Sequence, residues 1–229
     1  MRSIAQDLSE SDGAQPVPPA HAQVYLRLRE MVLYGDLKPG QAVTIQGLTT
    51  RLDAGMTPVR EAIRRLISQG ALELQGNRRV SVPLLHAADI SEIIVAREWL
   101  DPYLMRLALA NAASDDIAAM TALDTALDAA ILGGDLRGYL ELNHRFHLML
   151  YNLAQSPILA DLAEGLWLRF GPSMRVLCGR LGTQNLPDNH KTALDAMRAG
   201  NADAAAEAIC QDVRQGMNLL RDSLQGDDG

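Results

Sequence analysis

Three side chains near residue 60 place a hydroxyl and two guanidinium groups on one side of a predicted helix. Thr57, Arg60 and Arg64 are separated by three and four residues, a spacing that aligns side chains on an α-helix. The apolar residues of this segment fall on the opposite side and can pack inward: Val59, Ile63 and Leu66. Arginine binds guanine edges in a bidentate manner. A helix with one basic and one apolar face is therefore typical of an element that enters the major groove of DNA.

Four polar side chains interrupt apolar stripes in the C-terminal part of the chain. Asn143 and His147 are four residues apart on one predicted helix, so their side chains converge. His190 lies ten residues before the turn at Gly200-Asn201, and Asp212 lies eleven residues after it. At a rise of ~1.5 Å per residue, both stand roughly 15–17 Å from that turn, at one level of an antiparallel helix pair. We expect the four side chains to form one inward cluster, because a buried polar group is costly without a partner.

Two kinds of site fit this cluster. Imidazole nitrogens and carboxylate oxygens are ligands for Zn²⁺, Ni²⁺ or Mn²⁺, so the four side chains predict a divalent metal site. Alternatively, His147, His190 and Asp212 hydrogen-bond a small-molecule effector directly, without a metal ion. We do not count His144, three residues before His147, in this cluster and expect it to be exposed.

The segments around the basic helix predict the scaffold that presents it. Apolar periodicity predicts three helices, over residues 21–34, 44–52 and 57–69. Thr44 and Thr57 are expected to be the N-caps of the second and third helices. Two strand candidates follow as a hairpin, over residues 71–74 and 80–82. This order of elements is that of a winged helix-turn-helix, in which Arg78 and Arg79 of the hairpin turn contact phosphate or the minor groove.

The remainder of the chain has a helical pattern throughout. Six helices are predicted after Pro83, over residues 88–112, 114–132, 135–154, 157–180, 187–199 and 202–224. Aromatic residues make up only 4% of the chain, which favours helices over a β-sandwich or barrel. The fold class is therefore predicted as mainly α, with an antiparallel helix bundle after the winged module. We divide the chain into a disordered tail, a DNA-binding domain and an effector-binding and dimerisation domain, over residues 1–20, 21–85 and 86–229.

Charge divides the chain in the same way. The net charge is −7, but residues 21–85 contain nine basic and five acidic residues and carry +4, whereas residues 86–229 carry −9. The first segment can approach phosphates, and the second would avoid them. The two cysteines, Cys178 and Cys210, are too few for a disulfide framework, and no apolar run reaches the ~18 residues of a membrane helix. We therefore expect a cytoplasmic protein without a membrane partner.

Motifs in the first module are more specific than its helical pattern. They are GDLKPG at residues 35–40, TPVREAIRRL at 57–66, GAL at 70–72 and NR at 77–78. Together they resemble the DNA-binding domain of the GntR family of bacterial transcription regulators. The resemblance implies DNA contacts by Thr57, Arg60 and Arg64, and by Asn77 and Arg78 in the wing. The chain departs from the pattern at Met56, where the family usually has an arginine. This departure implies a lost base or phosphate contact and a changed operator half-site.

The helical remainder, over residues 88–224, resembles the FCD effector domain of FadR-like GntR regulators. A metal-binding subset of these domains uses Asp or Asn, a histidine four residues later, and two more histidines on the last two helices. Asn143, His147 and His190 match this pattern, whereas Asp212 stands where the last histidine is expected. The resemblance therefore implies a divalent metal site with weakened or retuned affinity.

The same resemblance implies an acidic effector. Arg97 matches an arginine on the family's pocket-facing helix and would grip a carboxylate. Arg169, on the fourth bundle helix, is a further candidate for this contact. Alternatively, Arg97 forms a surface ion pair with Glu98 or with another helix. FadR-like regulators respond to small organic acids and related metabolites, and nothing in the sequence selects one.

Two functions from different classes account for these features. The first is a transcription regulator that binds operator DNA as a homodimer, because helix-turn-helix proteins read two half-sites related by a two-fold axis. The second is a metal-dependent enzyme that uses the histidine and aspartate cluster. The basic winged module favours the first, since an enzyme would leave it unexplained.

Overall fold

The computed structural model describes residues 19–76, 79–181 and 188–225. Within these ranges, the N-terminal module contains α1 (Ala20–Leu33), β1 (Ala42–Val43), α2 (Ile45–Leu52), α3 (Met56–Ser68), β2 (Glu73–Leu74) and β3 (Val80–Ser81). The bundle contains α4 (Ala87–Asn111), α5 (Ser114–Leu132), α6 (Leu136–Leu153), α7 (Pro157–Leu181), α8 (Asn189–Arg198) and α9 (Ala202–Gln225). The predicted fold class, a winged helix-turn-helix followed by a helical bundle, is confirmed. None of the helices in the described part of the chain is long and apolar enough to cross a membrane.

The wing is a three-stranded antiparallel sheet with strand order β1-β3-β2. β3 lies in the middle, with Val80 opposite Val43 of β1 and opposite Leu74 of β2. The sequence predicted β2 and β3 but not β1, which has only two residues and no periodic pattern. The predicted tail over residues 1–20 lies outside the described residues as far as residue 18.

The two helices of the helix-turn-helix begin with different caps. The Thr44 hydroxyl accepts a hydrogen bond from the Gly47 N–H at 3.0 Å, as predicted. The predicted cap at Thr57 is wrong, because Gly55 is the N-cap of α3 and the helix begins at Met56. Thr57 is therefore the second helical residue, and its exposed hydroxyl is not used in capping. Pro58 is still tolerated, because N–H groups in a first turn have no partner within the helix.

The six bundle helices agree with the sequence prediction to within two residues at each described end. α4 packs along α9, α9 packs antiparallel to α8, and α6 lies against α4, α5 and α7. The core therefore forms between α4, α6 and the C-terminal helices, with Leu104, Phe146 and Ile209 fully buried. This arrangement brings the inward faces of α6, α8 and α9 together.

The winged module packs on the bundle through α1 and α7. At Gly171 the two backbones come so close that a Cβ atom would lie 2.3 Å from the Leu33 carbonyl oxygen. Only glycine fits there, which explains a glycine in the interior of α7. The ion pairs of Arg29 with Glu164 and of Asp36 with Arg137 also cross this junction.

Candidate functional site

The outer face of α3 presents the predicted DNA-reading side chains. Thr57, Arg60 and Arg64 are all exposed. The opposite face of α3 is buried against the module's core through Val59, Ala62, Ile63 and Leu66. Among the described residues, Arg60 and Arg64 have no ion pair or hydrogen bond, so both guanidinium groups are available for a ligand.

The other arginines of this module differ in their surroundings. The guanidinium of Arg65 lies 3.7 Å from the centre of the Tyr25 ring, so this side chain is engaged within the module. Arg79 is exposed immediately before β3, and its carbonyl accepts a hydrogen bond from the Gln75 N–H at 2.8 Å. The remaining predicted wing residues, Asn77 and Arg78, lie outside the described residues.

Three of the four predicted cluster residues meet in the bundle. His147 Nε2 lies 3.1 Å from Asp212 Oδ2, and His190 Nε2 lies 3.6 Å from Asp212 Oδ1. The two imidazole ring centres are 5.4 Å apart. His190 and Asp212 therefore lie at the same height on the α8–α9 pair, as the rise per residue and the turn at Gly200 predict. Asn143 lies one turn before His147 on α6 and is half-buried, and its role as a ligand stays a prediction.

The charges in this cluster depend on opposing effects of burial and neighbouring carboxylates. Burial lowers the pKa of His147 more than its bond to Asp212 raises it, so His147 is neutral near pH 7. Burial opposes protonation of His190 as well, but the nearby carboxylates of Asp212 and Asp124 raise the pKa of His190 to about 9. The charge of His190 and the hydrogen bond with His147 hold the pKa of Asp212 well below its usual range, against the effect of burial.

Two buried imidazole nitrogens in the cluster, Nδ1 of His147 and Nε2 of His190, have no hydrogen-bond partner among the described residues. Buried polar atoms of this kind are rare and indicate a missing ligand, water or ion. His147, His190 and Asp212 each offer one ligand atom, and these atoms lie within 4.8 Å of one another. Two imidazoles and a carboxylate suit Zn²⁺ or Ni²⁺, so the residues present fit a divalent metal.

Asp124 on α5 is a member of the cluster that the sequence analysis missed. Its side chain is buried, and its Oδ1 lies 3.4 Å from Nδ1 of His190. A signal for it existed, because Asp124 lies between the buried residues Met120 and Leu127 at helical spacing. Asp124 therefore orients the His190 ring from the side opposite Asp212.

Arg97 is buried beside the cluster, as a residue that faces the pocket must be. The alternative, a surface ion pair with Glu98, is therefore wrong. Its Nε lies 3.0 Å and its Nη2 2.5 Å from the same oxygen, Oδ2, of buried Asp101. The guanidinium also lies 4.8 Å from the Trp167 ring centre. Oδ1 of Asp101 is buried and has no hydrogen-bond partner in the part of the chain that the structure describes. Arg97 therefore holds a carboxylate of this chain already, and an acidic effector can use only its remaining N–H groups.

Two other expectations about side-chain direction need correction. Arg169 is exposed, and its guanidinium lies against Gly70 at the end of α3, where a Cβ atom would be 2.8 Å from Nη2. Its side chain is thus engaged at the junction of the two modules rather than in the cluster. His144 was expected to be exposed but is buried, because Tyr34 of the winged module and Trp167 of α7 cover it.

Comparison with known proteins gives consistent matches along the chain. Residues 20–82 match the gntR family of bacterial regulatory proteins, and residues 92–215 match the FCD domain. The HTH-type transcriptional regulator McbR of Escherichia coli K12 is 29% identical over 201 residues, which cover 86% of this chain and 91% of that protein. The HTH-type transcriptional repressor GlaR of the same strain is 23% identical over 216 residues, covering 88% and 96%. The solved structure of E. coli McbR/YncC has a TM-score of 0.84 at 27% identity, covering 90% of this chain and 99% of that one.

Proposed function

This chain belongs to the GntR family of bacterial regulatory proteins with an FCD domain, so it is a DNA-binding transcriptional regulator rather than an enzyme. We propose that a small organic acid, bound at the polar cluster, controls its affinity for operator DNA. A divalent metal ion forms part of that site. The observation that carries this proposal is the pair of unpartnered buried nitrogens on His147 and His190. Burying these two nitrogens in an apolar core is unfavourable unless a ligand bonds them and offsets the cost of removing them from water.

The exposed face of α3 carries the DNA contacts of the proposal. Arg60 and Arg64 have unpaired guanidinium groups among the described residues, and Thr57 has a free hydroxyl on the same face. Arg60 and Arg64 bind base edges in the major groove, and the wing residues Asn77, Arg78 and Arg79 bind phosphate or the minor groove. The effector shifts the equilibrium between two arrangements of the recognition helices. The free energy of that shift cannot exceed the difference between the effector's binding free energies for the two arrangements.

Operator selection tests this assignment directly. Duplexes enriched by the wild-type protein from a random library should bind an Arg60→Ala variant more weakly and with relaxed preference at one position. Arg65→Ala is the matched control, because Arg65 stacks on Tyr25 within the module. An Arg60→Ala variant that keeps both the wild-type affinity and the wild-type sequence preference would rule out α3 as the reading element.

The metal site rests on His147, His190 and Asp212, with Asn143 as the predicted fourth ligand. A bound ion would polarise an oxygen of the effector, while the chain orients it. Because Nε2 of His147 donates to Asp212 and His190 is protonated near pH 7, metal binding must release protons. Asp124 then holds Nδ1 of His190 and leaves Nε2 free for the ion.

Calorimetric titration of protein stripped with EDTA tests the metal half of the proposal. We expect ZnCl₂ or NiCl₂ to bind at one site per chain, and His147→Ala and His190→Ala each to weaken binding by at least about tenfold. Asp128→Ala is the control, because Asp128 is not one of the three residues whose ligand atoms converge, and Lys191 already lies 2.6 Å from its carboxylate. Wild-type protein that binds neither ion would leave the direct-effector form of the site. That form is tested with succinate, malate and citrate by operator anisotropy.

We further propose that two copies pair through α4. One recognition helix per chain requires a second copy to read two half-sites. The apolar residues Val95, Trp99 and Tyr103 lie four residues apart and are exposed, with Trp99 80% accessible to solvent. Such a stripe on a water-soluble surface marks an interaction site. A two-fold axis near Trp99 would bury the stripe of each chain against its copy.

Sedimentation analysis tests this pairing. Trp99→Glu places a charge in the centre of the stripe and should convert a dimer to a monomer with weaker operator binding. Leu132→Glu is the matched control, because Leu132 is 83% exposed at the end of α5 and outside the stripe. A Trp99→Glu protein that remains dimeric would exclude this face of α4.

A further inference from the structure

A cavity of about 270 Å³ lies at the junction of the winged module and the bundle. Lys38 of the turn after α1 and Leu84 of the segment before α4 form one side, and residues of α7 and α9 form the other. Its lining includes no residue of the polar cluster. The cavity is therefore separate from the proposed effector site and is walled by both modules.

Most of the cavity wall is apolar. The bundle contributes Val176 from α7 and Leu220 and Leu224 from α9, and Leu84 faces them with 63% of its surface exposed. A ligand with an apolar body would remove this surface from water, which is favourable. At about 30 Å³ per water molecule, the space holds roughly nine waters, or a ligand of about ten non-hydrogen atoms.

Ser173 supplies an unused hydrogen-bonding group inside the cavity. Its side chain is only 4% exposed and lines the cavity, yet its hydroxyl has no hydrogen bond within the described part of the chain. A helical serine without another partner usually bonds the carbonyl one turn earlier, and Ser173 does not. The Ser173 hydroxyl is not one of the fully buried atoms that lack a partner, so it opens onto the cavity, where it can bond an oxygen or nitrogen atom of a ligand.

Lys38 supplies the charge. Among the described residues it is the one ionisable side chain that lines the cavity, and its exposed ammonium group has no ion pair with any of them. An uncompensated cation beside an apolar wall favours an anionic headgroup over a neutral or cationic one. The combination of Lys38, Ser173 and the leucine and valine wall thus matches a short amphipathic acid.

We propose that this cavity binds a small monocarboxylate with an apolar body, a second ligand site distinct from the polar cluster. The carboxylate lies beside Lys38 and accepts a hydrogen bond from Ser173, and the body covers Leu84, Val176 and Leu224. Because the walls come from both modules, an occupant stabilises their present arrangement. Binding of a second acid in this cavity would therefore influence the position of the recognition helix relative to the bundle.

Calorimetric titration of the full-length protein with 3-phenylpropionate tests this site. Its neutral analogue 3-phenylpropanamide tests the need for charge, and acetate tests the need for an apolar body. We expect saturable binding of the acid at one site per chain, at least fivefold weaker binding of the amide, and no measurable binding of acetate. Equal affinity for acid and amide, or no binding of the acid, would overturn the proposal.

Variants locate the site. Lys38→Gln should weaken 3-phenylpropionate binding about tenfold, Ser173→Ala should weaken it severalfold, and Val176→Trp should abolish it by filling the cavity. Lys191→Gln is the matched control, because Lys191 on α8 is an exposed lysine that pairs with Asp128 and Asp188. His147→Ala should leave this binding unchanged even where it removes metal binding. Binding lost in His147→Ala but retained in Lys38→Gln and Ser173→Ala would place the acid at the polar cluster and refute a second site.

Discussion

The hydroxyl of Tyr34 lies 3.3 Å from Nδ1 of His144, and this contact joins the winged module to the helix that carries the polar cluster. Tyr34 follows the last residue of α1, and His144 lies three residues before His147 on α6. The His144 ring packs edge-on against Trp167 at 5.1 Å between centres, and Trp167 lies 5.2 Å from the His147 ring. Packed side chains thus extend from the cluster to the end of α1. Contiguity alone does not establish coupling, so the contact has to be tested.

Removing the Tyr34 hydroxyl should weaken communication between the modules. Tyr34→Phe keeps the ring and loses one hydrogen bond, for an expected cost of about 1 kcal/mol in the free energy of unfolding. Tyr25→Phe is the matched control, because the Tyr25 hydroxyl donates to Gln69 within the winged module at 3.0 Å. We expect similar stability losses, but only Tyr34→Phe should reduce the change in operator affinity on adding Zn²⁺. Equal Zn²⁺ responses in the two variants would exclude this contact as a route of coupling.

Wing and recognition-helix arginines should differ in how their loss affects DNA binding. Arg60→Ala should cost about 1–3 kcal/mol of operator binding and relax one base preference, because it removes a base contact. Arg79→Ala should weaken all sequences alike and reduce the slope of log affinity against log salt by about one, because it removes a phosphate contact. Anisotropy titrations at several salt concentrations separate the two. A sequence-dependent effect of Arg79→Ala would reverse the assignment of the wing.

The sequence was sufficient where one helix, or one helix pair, determines the geometry. The level of His190 and Asp212 follows from the rise per residue and the Gly200 turn, and the faces of α3 follow from helical spacing. β1 was missed because two residues carry no periodicity and their partner strand lies far along the chain.

Side chains at the junction of the modules could not be predicted in the same way. His144 lies three residues before His147, so the two share one side of α6, and Tyr34 of the winged module covers it. Arg169 turns toward Gly70 for the same reason. The sequence analysis assigns Arg97 to a ligand and therefore misses its pair with Asp101, although the two residues are four apart on one helix. Spacing within a helix gives direction, but burial depends on what packs there.

Gly171 should be intolerant of any side chain. A Cβ atom on Gly171 would lie 2.3 Å from the Leu33 carbonyl oxygen, so Gly171→Ala must push α1 away from α7. We expect a loss of about 1–3 kcal/mol in the free energy of unfolding, as for other overpacked sites. Gly165→Ala in the same helix meets no atom within 4 Å and should instead stabilise by about 0.5–1 kcal/mol. Urea unfolding measures both, and equal effects would contradict the close approach of the two helices.

In protein stripped of metal, stability should be greatest near pH 6.5. The pKa of His190 is raised from 6.5 to about 9, so its contribution is complete below pH 6.5 and is lost as the pH rises through 9. Burial lowers the pKa of His144 to about 3 and also lowers that of His147, so the unfolded chain gains protons first and stability falls below pH 6.5. The lowered pKa of Asp212 adds a further loss on the acid side.

Urea unfolding in EDTA checks this pH profile. From pH 6.5 to 9.5 we expect a loss on the order of 2–3 kcal/mol. Asp212→Asn should flatten that alkaline limb, because it removes the carboxylate charge that favours protonated His190. His21→Gln, at an exposed histidine, should leave the limb unchanged. An alkaline limb of the same size in Asp212→Asn would mean that another group is responsible.

Replacing Asp212 by histidine should lower the stability of the metal-free protein and raise its affinity for a divalent metal ion. In the present chain Asp212 accepts from His147 and stabilises protonated His190, so Asp212→His removes the anion and leaves three imidazoles together. The metal-free variant should unfold at a lower temperature than the wild type, because its buried rings have lost their acceptor.

Imidazole suits Zn²⁺ and Ni²⁺ well, and we expect roughly tenfold tighter binding of either ion and a larger rise in melting temperature on adding it. Asp128→His is the control, since it adds an imidazole at an acid that pairs with Lys191 and is not one of the three converging residues. Calorimetry and thermal unfolding with and without ZnCl₂ measure both effects. Weaker Zn²⁺ binding by Asp212→His than by the wild type would mean that the cluster is built around its carboxylate, as a site that binds an effector without a metal.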